Sequence, residues 1–320
     1  MTSVPQPPLS GDDVTVVVVS YNHEKYIDTC LRSIIGQTVL PHSLIIIDDC
    51  SSDSSVKIAQ DFATTSPVPT TVIAHETNTG LCAGLNEALE LTRTDLFAYI
   101  SADDYMLSER IERQLQTLNS AGSRYAVVYS DAWREDEDGE RLTDRFSEKY
   151  TWPSPDLRSG DVFAQILRSP YIPAPSAMCR TNCLREVGGY DPDLFFEDLD
   201  MWLRLSARHP FVCVDECLVT FRELSTSLGH KEFDSENPSF IRSLLKILIK
   251  VETARPEYTI EIRDRIWHLA IRLRLAGAPA GEIAPLLRRL CTSRPQKTAW
   301  LHAAIATLRL PARLHRPHRA

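Results

Sequence analysis

The 320-residue sequence predicts an α/β fold: a mostly parallel sheet with helices on both faces, followed by an α-helical C-terminal region. Three observations predict it. Short β-branched runs alternate with segments whose apolar residues recur at helical spacing, the pattern of right-handed βαβ units. Polar side chains punctuate the C-terminal end of one predicted strand after another: Asn22, Asp49, Asn78, Asp103 and Asp131. From about Asn237 the strand pattern stops and basic, helix-like sequence follows. Open α/β sheets bind ligands beyond the carboxyl ends of their strands, so the second observation places a candidate site along one rim.

Val14 to Val19 (VTVVVV) reads as a strand buried on both faces, broken by Ser20-Tyr21-Asn22-His23. Ile27, Leu31, Ile34 and Ile35 then follow at helical spacing. Leu44 to Ile47 is the second strand. It ends in Asp48-Asp49-Cys50-Ser51-Ser52-Asp53, with a helix from about Ser54 to Ala63 behind it. Thr71 to Ala74 is the third, ending at Glu76-Thr77-Asn78-Thr79-Gly80, and the next helix carries Leu81, Leu85, Ala88 and Leu89. The run from Asp95 to Ile100 is the fourth and stops abruptly at Ser101-Ala102-Asp103-Asp104. Ser108 is the expected N-cap of a helix with Ile111, Leu115 and Leu118 on one face. Ala126 to Tyr129 is a fifth strand. Arg134 to Glu148 reads as an exposed hairpin or loop turning at Asp138-Gly139. Ser176 to Arg180, Phe211 to Val214 and Leu218 to Phe221 are strand-like. Between them a helix opens at Glu197-Asp198 and carries Leu199, Trp202 and Leu203 on one face. The C-terminal helices are expected to break at Pro256, Gly277-Ala278-Pro279 and Arg294-Pro295. The division expected is a flexible lead (1–13), an α/β domain (14–236) and a basic helical region (237–320).

Composition narrows the class. Hydrophobic content of 43% and charged content of 24% are those of a soluble globular chain, and no apolar run is long enough to span a bilayer. MTSVPQPPLSGDD has neither the basic start nor the apolar core of a signal peptide, so a cytoplasmic location is expected. The eight cysteines then read as reduced thiols. Cys179/Cys183 and Cys213/Cys217 have loosely zinc-like spacing but lack the turns of a zinc knuckle. Charge is uneven: residues 241–320 hold 16 Lys and Arg against 5 Asp and Glu, a net of +11, which leaves −19 on residues 1–240. Such helices suit an anionic membrane surface at the inner face of the cell membrane, or a solvated helical face. No nucleic-acid partner is expected.

Asp103 and Asp104 end a buried strand. Mg2+ or Mn2+ is commonly held by one or two carboxylates together with substrate phosphates, so the pair reads as a metal–diphosphate site or as a capped turn.

Four stretches resemble the inverting family 2 glycosyltransferases of the GT-A fold, a Rossmann-like nucleotide-sugar-binding sheet. They are VTVVVVSYNHEKYIDTCLRSIIGQT, IIIDDCSSDSS, NTGLCAGLNEAL and GGYDPDLFFEDLDMWLRL, in order, and the resemblance covers roughly Val14 to Phe221. The resemblance implies a nucleotide-sugar donor contacted by Val19, Tyr21 and Asp49, with Ser101 near the ribose. It implies a divalent metal, Mg2+ or Mn2+, on Asp103, with Asp104 as a second candidate. It implies a general base at Asp198, with Asp200 as the alternative, and a saccharide or lipid-linked saccharide acceptor. Bacterial cell-surface or secreted polysaccharide assembly is the expected setting. Three positions depart from the family: Ser101 stands where an aspartate is commonest, Leu85 where many members have arginine, and Leu224 where a histidine is frequent. His230 is a further candidate for a metal or phosphate contact. The departures keep a second reading open, a glycosyltransferase-like scaffold without activity. A nucleotidyltransferase is a third reading, but Ser20-Tyr21-Asn22-His23-Glu24 lacks the glycine-rich phosphate loop it needs.

Overall fold

The computed structural model describes residues 7–194, 197–224 and 237–291. One sheet holds β1 (Val14–Ser20), β2 (Ser43–Asp48), β3 (Thr70–Ala74), β4 (Leu96–Ser101), β5 (Tyr105–Met106), β6 (Val127–Glu135), β7 (Met178–Arg180) and β8 (Phe211–Arg222). Their order is β3-β2-β1-β4-β7-β6-β8-β5. The helices are α1 (Ile27–Ile35), α2 (Ser55–Ala63), α3 (Leu81–Leu91), α4 (Arg110–Ala121), α5 (Phe146–Lys149), α6 (Phe163–Arg168), α7 (Thr181–Glu186) and α8 (Glu197–Ser206), then α9 (Pro238–Val251), α10 (Thr259–Leu275) and α11 (Ala280–Cys291). The chain divides into two compact units, Met1–Leu224 and Ser225–Ala320.

β1, β2, β3 and β4 are parallel, as the βαβ pattern requires. The β-branched runs work here because both faces of the sheet are covered. Val16 and Val18 pack with Leu31 and Ile34 of α1 and with Ile111 and Leu115 of α4. Val17, between them, is equally buried on the opposite face, the face of α3. Each such valine or leucine contributes roughly 1.5–3 kcal/mol by leaving water.

The sheet is mostly parallel, since β6 and β8 also pair in parallel, and two short antiparallel strands make it mixed. β7 runs antiparallel to β4 and β6, and β5 antiparallel to β8. β7 falls within the strand-like Ser176 to Arg180, whereas β5, two residues long, leaves no periodicity in the sequence. β8 is one continuous strand where two segments were expected, because β6 pairs along it in parallel with register shifts at Asp131. β6 likewise extends into the expected loop as far as Glu135 before the turn at Gly139. α4 begins at Arg110 with Glu109 at its N-cap, so Ser108 is not the cap; its carbonyl instead accepts the Thr38 N–H at 2.8 Å. The lead is anchored at its end: Leu9 exchanges backbone bonds of 2.8 and 3.0 Å with the Asn119 side chain.

In the second unit, α9 starts behind an Asn237 cap, whose side chain accepts the Ser239 N–H at 2.8 Å. The breaks at Pro256 and Gly277-Ala278-Pro279 fall where the sequence places them; that at Arg294-Pro295 lies outside the described residues. Glu252, almost fully buried, is held by Arg263 and Arg289, each at 2.7 Å. Burial raises the Glu252 carboxyl, but the two guanidinium groups outweigh it and hold it below the usual range. Ile266, Trp267, Leu269 and Leu273 of α10 are buried within this unit. These apolar side chains of α10 are therefore covered by protein.

Candidate active site

The ends of four parallel strands are tied level. Ala102 N–H donates to the Val19 carbonyl, Asp49 N–H to Ser20 and His75 N–H to Asp48, each at 2.9 Å. The two non-glycine residues with positive φ among the described residues sit here, Asn22 (57°) and Cys50 (70°), just past β1 and β2. Left-handed backbone at non-glycine residues is costly and gathers at functional sites. It is held by a lattice between the two loops: Asn22 N–H donates to Ser51 Oγ at 2.7 Å, and Asn22 Oδ1 accepts the Ser52 N–H at 2.9 Å. Tyr21 is left 50% exposed on this rim, free to pack on a flat ring. Val19, partly buried, lies beside Ser101 in the β1–β4 register.

Asp49 is more committed than the sequence suggests. Its Oδ1 accepts from His75 Nδ1 (2.8 Å), Thr79 N–H (2.8 Å) and Thr79 Oγ1 (3.0 Å), and its Oδ2 accepts the Gly80 N–H at 2.8 Å. Burial raises its carboxyl, but these bonds outweigh burial and hold it below the usual range. Asp49 thus anchors the entry to α3, and Oδ2 is the oxygen with capacity left for a ligand N–H. His75 also meets Glu87 at 2.8 Å. Burial lowers the His75 pKa, and the two carboxylates overcome that and raise it.

Asp103 is 9% exposed at the end of β4, and its Oδ1 is buried with no hydrogen-bond partner among the described residues. Its Oδ2 stands 4.0 Å from His23 Nε2. Asp104 is different: its Oδ1 accepts the Arg222 N–H at 2.8 Å, and burial together with the Asp103 charge pushes its carboxyl well above the usual range. Asp104 is therefore tied to β8 through this bond. An orphaned carboxylate oxygen fits a divalent cation, a hard ion that takes oxygen ligands. Asp103 offers that oxygen.

The second acidic group opens α8. Glu197 Oε1 accepts the Tyr99 O–H at 2.8 Å, which ties the helix start to β4, two residues before Ser101. Burial and the neighbouring Asp198 charge push Glu197 up to about 8. Burial likewise pushes Asp198 up to about 6, although its Oδ1 accepts the Leu199 N–H at 2.6 Å. Asp200, the alternative base, is 1% exposed and paired with Arg204 at 2.5 Å. Arg204 in turn donates to the Val187 and Gly189 carbonyls at 2.7 and 2.8 Å. Asp200 thus positions the glycine turn through Arg204. Leu224 is buried, and His230 lies outside the described residues.

The glycine turn explains another shared motif. Asn86 of α3 bridges both sides of Tyr190, donating to its carbonyl and accepting its N–H, each at 2.8 Å. Gly189 has φ 71°, and a Cβ there would stand 2.6 Å from Asn86 Oδ1. Gly189→Ala is expected to cost ~2–3 kcal/mol, from left-handed strain plus displaced hydrogen bonds. Thermal unfolding checks this: Tm should fall by at least ~5 °C.

The sequence reading missed His23, His75, Asn86 and Tyr99 as site-building residues. For His23 a signal existed, since it stands in the polar break after β1. The four cysteines of the zinc-like pairs do not gather: all are free thiols, and Cys183 lies instead with Glu186 and His209.

A mostly parallel sheet with acids at successive strand ends, followed by helices, is the architecture of the GT-A glycosyltransferases. The chain belongs to glycosyl transferase family 2, whose profile matches residues 15–188, more than half of the sequence. It is 28% identical over 219 residues to the amylovoran biosynthesis glycosyltransferase AmsE of Erwinia amylovora, covering 65% of this chain and 75% of AmsE. The first curated relatives are spanned over 37 to 75% of their own length. S. aureus TarS 1–349 in complex with UDP shares the fold at a TM-score of 0.63 and 16% identity, over 95% of this chain and 89% of that one. The mannosyltransferase PcManGT from Pyrobaculum calidifontis, solved with GDP-Man and Mn2+, does so at 0.58 and 16% identity, over 95% and 85%.

Proposed function

We propose that this glycosyltransferase moves a sugar from a nucleoside-diphosphate donor to an acceptor hydroxyl with inversion, in one metal-assisted displacement. The observation that carries the reading is β4. Just past its end stands the orphaned Asp103 oxygen, and two residues before its terminal Ser101, Tyr99 holds Glu197, the neighbour of Asp198. Leaving group and base are thereby referred to one rigid strand. Tyr21 and Val19 would hold the base ring, Asp49 Oδ2 a ring N–H, and Ser101 the ribose. Asp103 would hold a Mg2+ or Mn2+ ion, which supplies Lewis-acid neutralisation of the departing diphosphate.

Inversion requires attack from the face opposite that leaving group. Asp198 takes the acceptor hydroxyl proton as the new C–O bond forms at the anomeric carbon. The bond to phosphate breaks, and the nucleoside diphosphate leaves with the electron pair. A base whose pKa is pushed to about 6 is ionised at neutral pH, yet basic enough to accept a proton. Activity should therefore be lost as pH falls through about 6. The check is a kcat/KM profile from pH 5 to 8; a flat profile would count against Asp198.

The relation to AmsE supports assembly of a cell-surface or secreted polysaccharide, with a saccharide or lipid-linked saccharide acceptor. Among the described residues no helix is long and apolar enough to cross a membrane. With those apolar side chains of α10 covered by protein, charge is what supports a cytoplasmic, membrane-peripheral placement: +11 over residues 241–320. Binding to anionic phosphatidylglycerol vesicles should then be strong at low salt, absent on phosphatidylcholine, and released by ~0.3 M NaCl as the charges are screened. Salt-resistant binding would point to insertion instead. Nucleoside diphosphate release from UDP- and GDP-sugars, with and without metal and acceptor, tests the catalytic reading. No turnover with any donor would favour the inactive scaffold.

A further inference from the structure

Resting on that donor-site reading, we infer that His23 is a second protein ligand of the donor-site cation and sets its metal preference. Three observations carry it. His23 Nε2 and Asp103 Oδ2 face each other at 4.0 Å, with both side chains largely enclosed, 18% and 12% exposed. That gap is too long for a hydrogen bond. It suits two donors on one ion, since ligands each about 2.1 Å from a metal stand about 3 to 4.2 Å apart, depending on angle. The other polar atoms of the two side chains, His23 Nδ1 and Asp103 Oδ1, are both buried without a hydrogen-bond partner among the described residues. The fold thus commits neither side chain to a hydrogen bond at these buried atoms, and the facing edges, Nε2 and Oδ2, stand at a separation that one ion can bridge.

The third observation concerns charge. β4 ends at Ser101 and is followed by Ala102-Asp103-Asp104, where Asp103 is the one carboxylate not engaged with β8; Asp104 accepts from the Arg222 N–H. A cation held by Asp103 alone would keep a thin protein shell. His23 is brought across from the adjacent strand because β1 and β4 pair directly, and its backbone is pinned when its N–H donates to Ser55 Oγ at 2.9 Å. An imidazole in place of a carboxylate also changes selectivity. Nitrogen ligands suit the transition metals, whereas Mg2+ prefers an all-oxygen shell. The site is thereby biased toward Mn2+ over Mg2+.

The test uses the full chain and titrates Mn2+ and Mg2+ in the presence of UDP or GDP, on wild type, His23→Ala, His23→Gln and Asp103→Asn. Free Mn2+ is counted by EPR, and pulsed EPR reads imidazole-nitrogen modulation on the bound ion. Circular dichroism confirms that each variant is folded. The expected result is a loss of the nitrogen modulation in both His23 variants. Mn2+ affinity should fall by at least the ~10–100-fold cost of losing a residue that supports a metal ligand. Mg2+ affinity should fall less, so that the preference for Mn2+ shrinks. Unchanged Mn2+ affinity and nitrogen signal in the His23 variants, with binding lost in Asp103→Asn, would overturn this inference and leave the donor site standing. Weaker nucleotide binding of equal size with and without metal would also overturn it, making His23 a direct phosphate contact. If Asp103→Asn binds Mn2+ as wild type does, the donor-site reading itself fails.

Discussion

In Asp198→Asn, turnover falls by ~10^2–10^4-fold, the usual worth of a positioned general base, while the folded protein gains heat stability at pH 7.5. Both effects follow from one feature. Burial raises the Asp198 carboxyl to about 6, so the folded chain holds that proton more tightly than the unfolded chain does. The protonated form's contribution to stability is full below about pH 4 and is lost as pH rises through about 6. At pH 7.5 the buried charge is therefore a burden on the fold. Asn removes the charge and can keep the bond to Leu199 N–H. Tm should rise at pH 7.5 and change little at pH 4. A retained turnover, or a lower Tm at pH 7.5, would refute the assignment.

The second large effect is at Asp103. Asp103→Asn is nearly isosteric, and the replaced oxygen has no partner among the described residues, so the fold has little to lose. A Tm within ~2 °C of wild type is expected, alongside a ~10^3-fold drop in metal-dependent turnover, equivalent to several kcal/mol of charge stabilisation on the leaving diphosphate. The Asp104→Asn variant should behave in the opposite way. Its carboxyl accepts from Arg222 and is held toward its neutral form, so turnover should change far less than in Asp103→Asn. Circular dichroism melts and steady-state rates on the two variants separate these roles.

Much of this was readable from sequence because strong local signals and the fold agree. VTVVVV can only be a strand covered on both sides, and Asp103 falls at a strand end because an apolar run stops there. The parallel βαβ half followed directly. In the other half the segments of β6, β7 and β8 were strand-like in sequence, but the two-residue β5 and the antiparallel pairings of β7 and β5 were not legible, because distant partners set them. Phe211 to Val214 and Leu218 to Phe221 read as two segments, but the shifts in β6 pairing absorb Asp215-Glu216 between them within one strand.

The site divides in the same way. Asp49, Asp103 and Asp198 were visible as acids at element ends. Their chemical states were not, because those depend on contacts far away in sequence: Tyr99 on Glu197, Arg222 on Asp104, Gly80 on Asp49. The basic stretch at α10 shows the converse. Its composition suits a lipid surface, yet Trp267 and Leu273 are needed inside the helical unit. Composition records which side chains are apolar but not which neighbour takes them.

The measurement that bears most directly on the account is calorimetric titration of UDP and GDP, each with and without Mn2+, into wild type and Asp103→Ala. The account predicts that one nucleotide binds wild type at least ~10-fold more tightly with Mn2+, and that the variant loses this metal dependence while keeping its fold. Binding that is indifferent to Mn2+, or a metal dependence that survives in Asp103→Ala, would contradict a metal–diphosphate site at the end of β4.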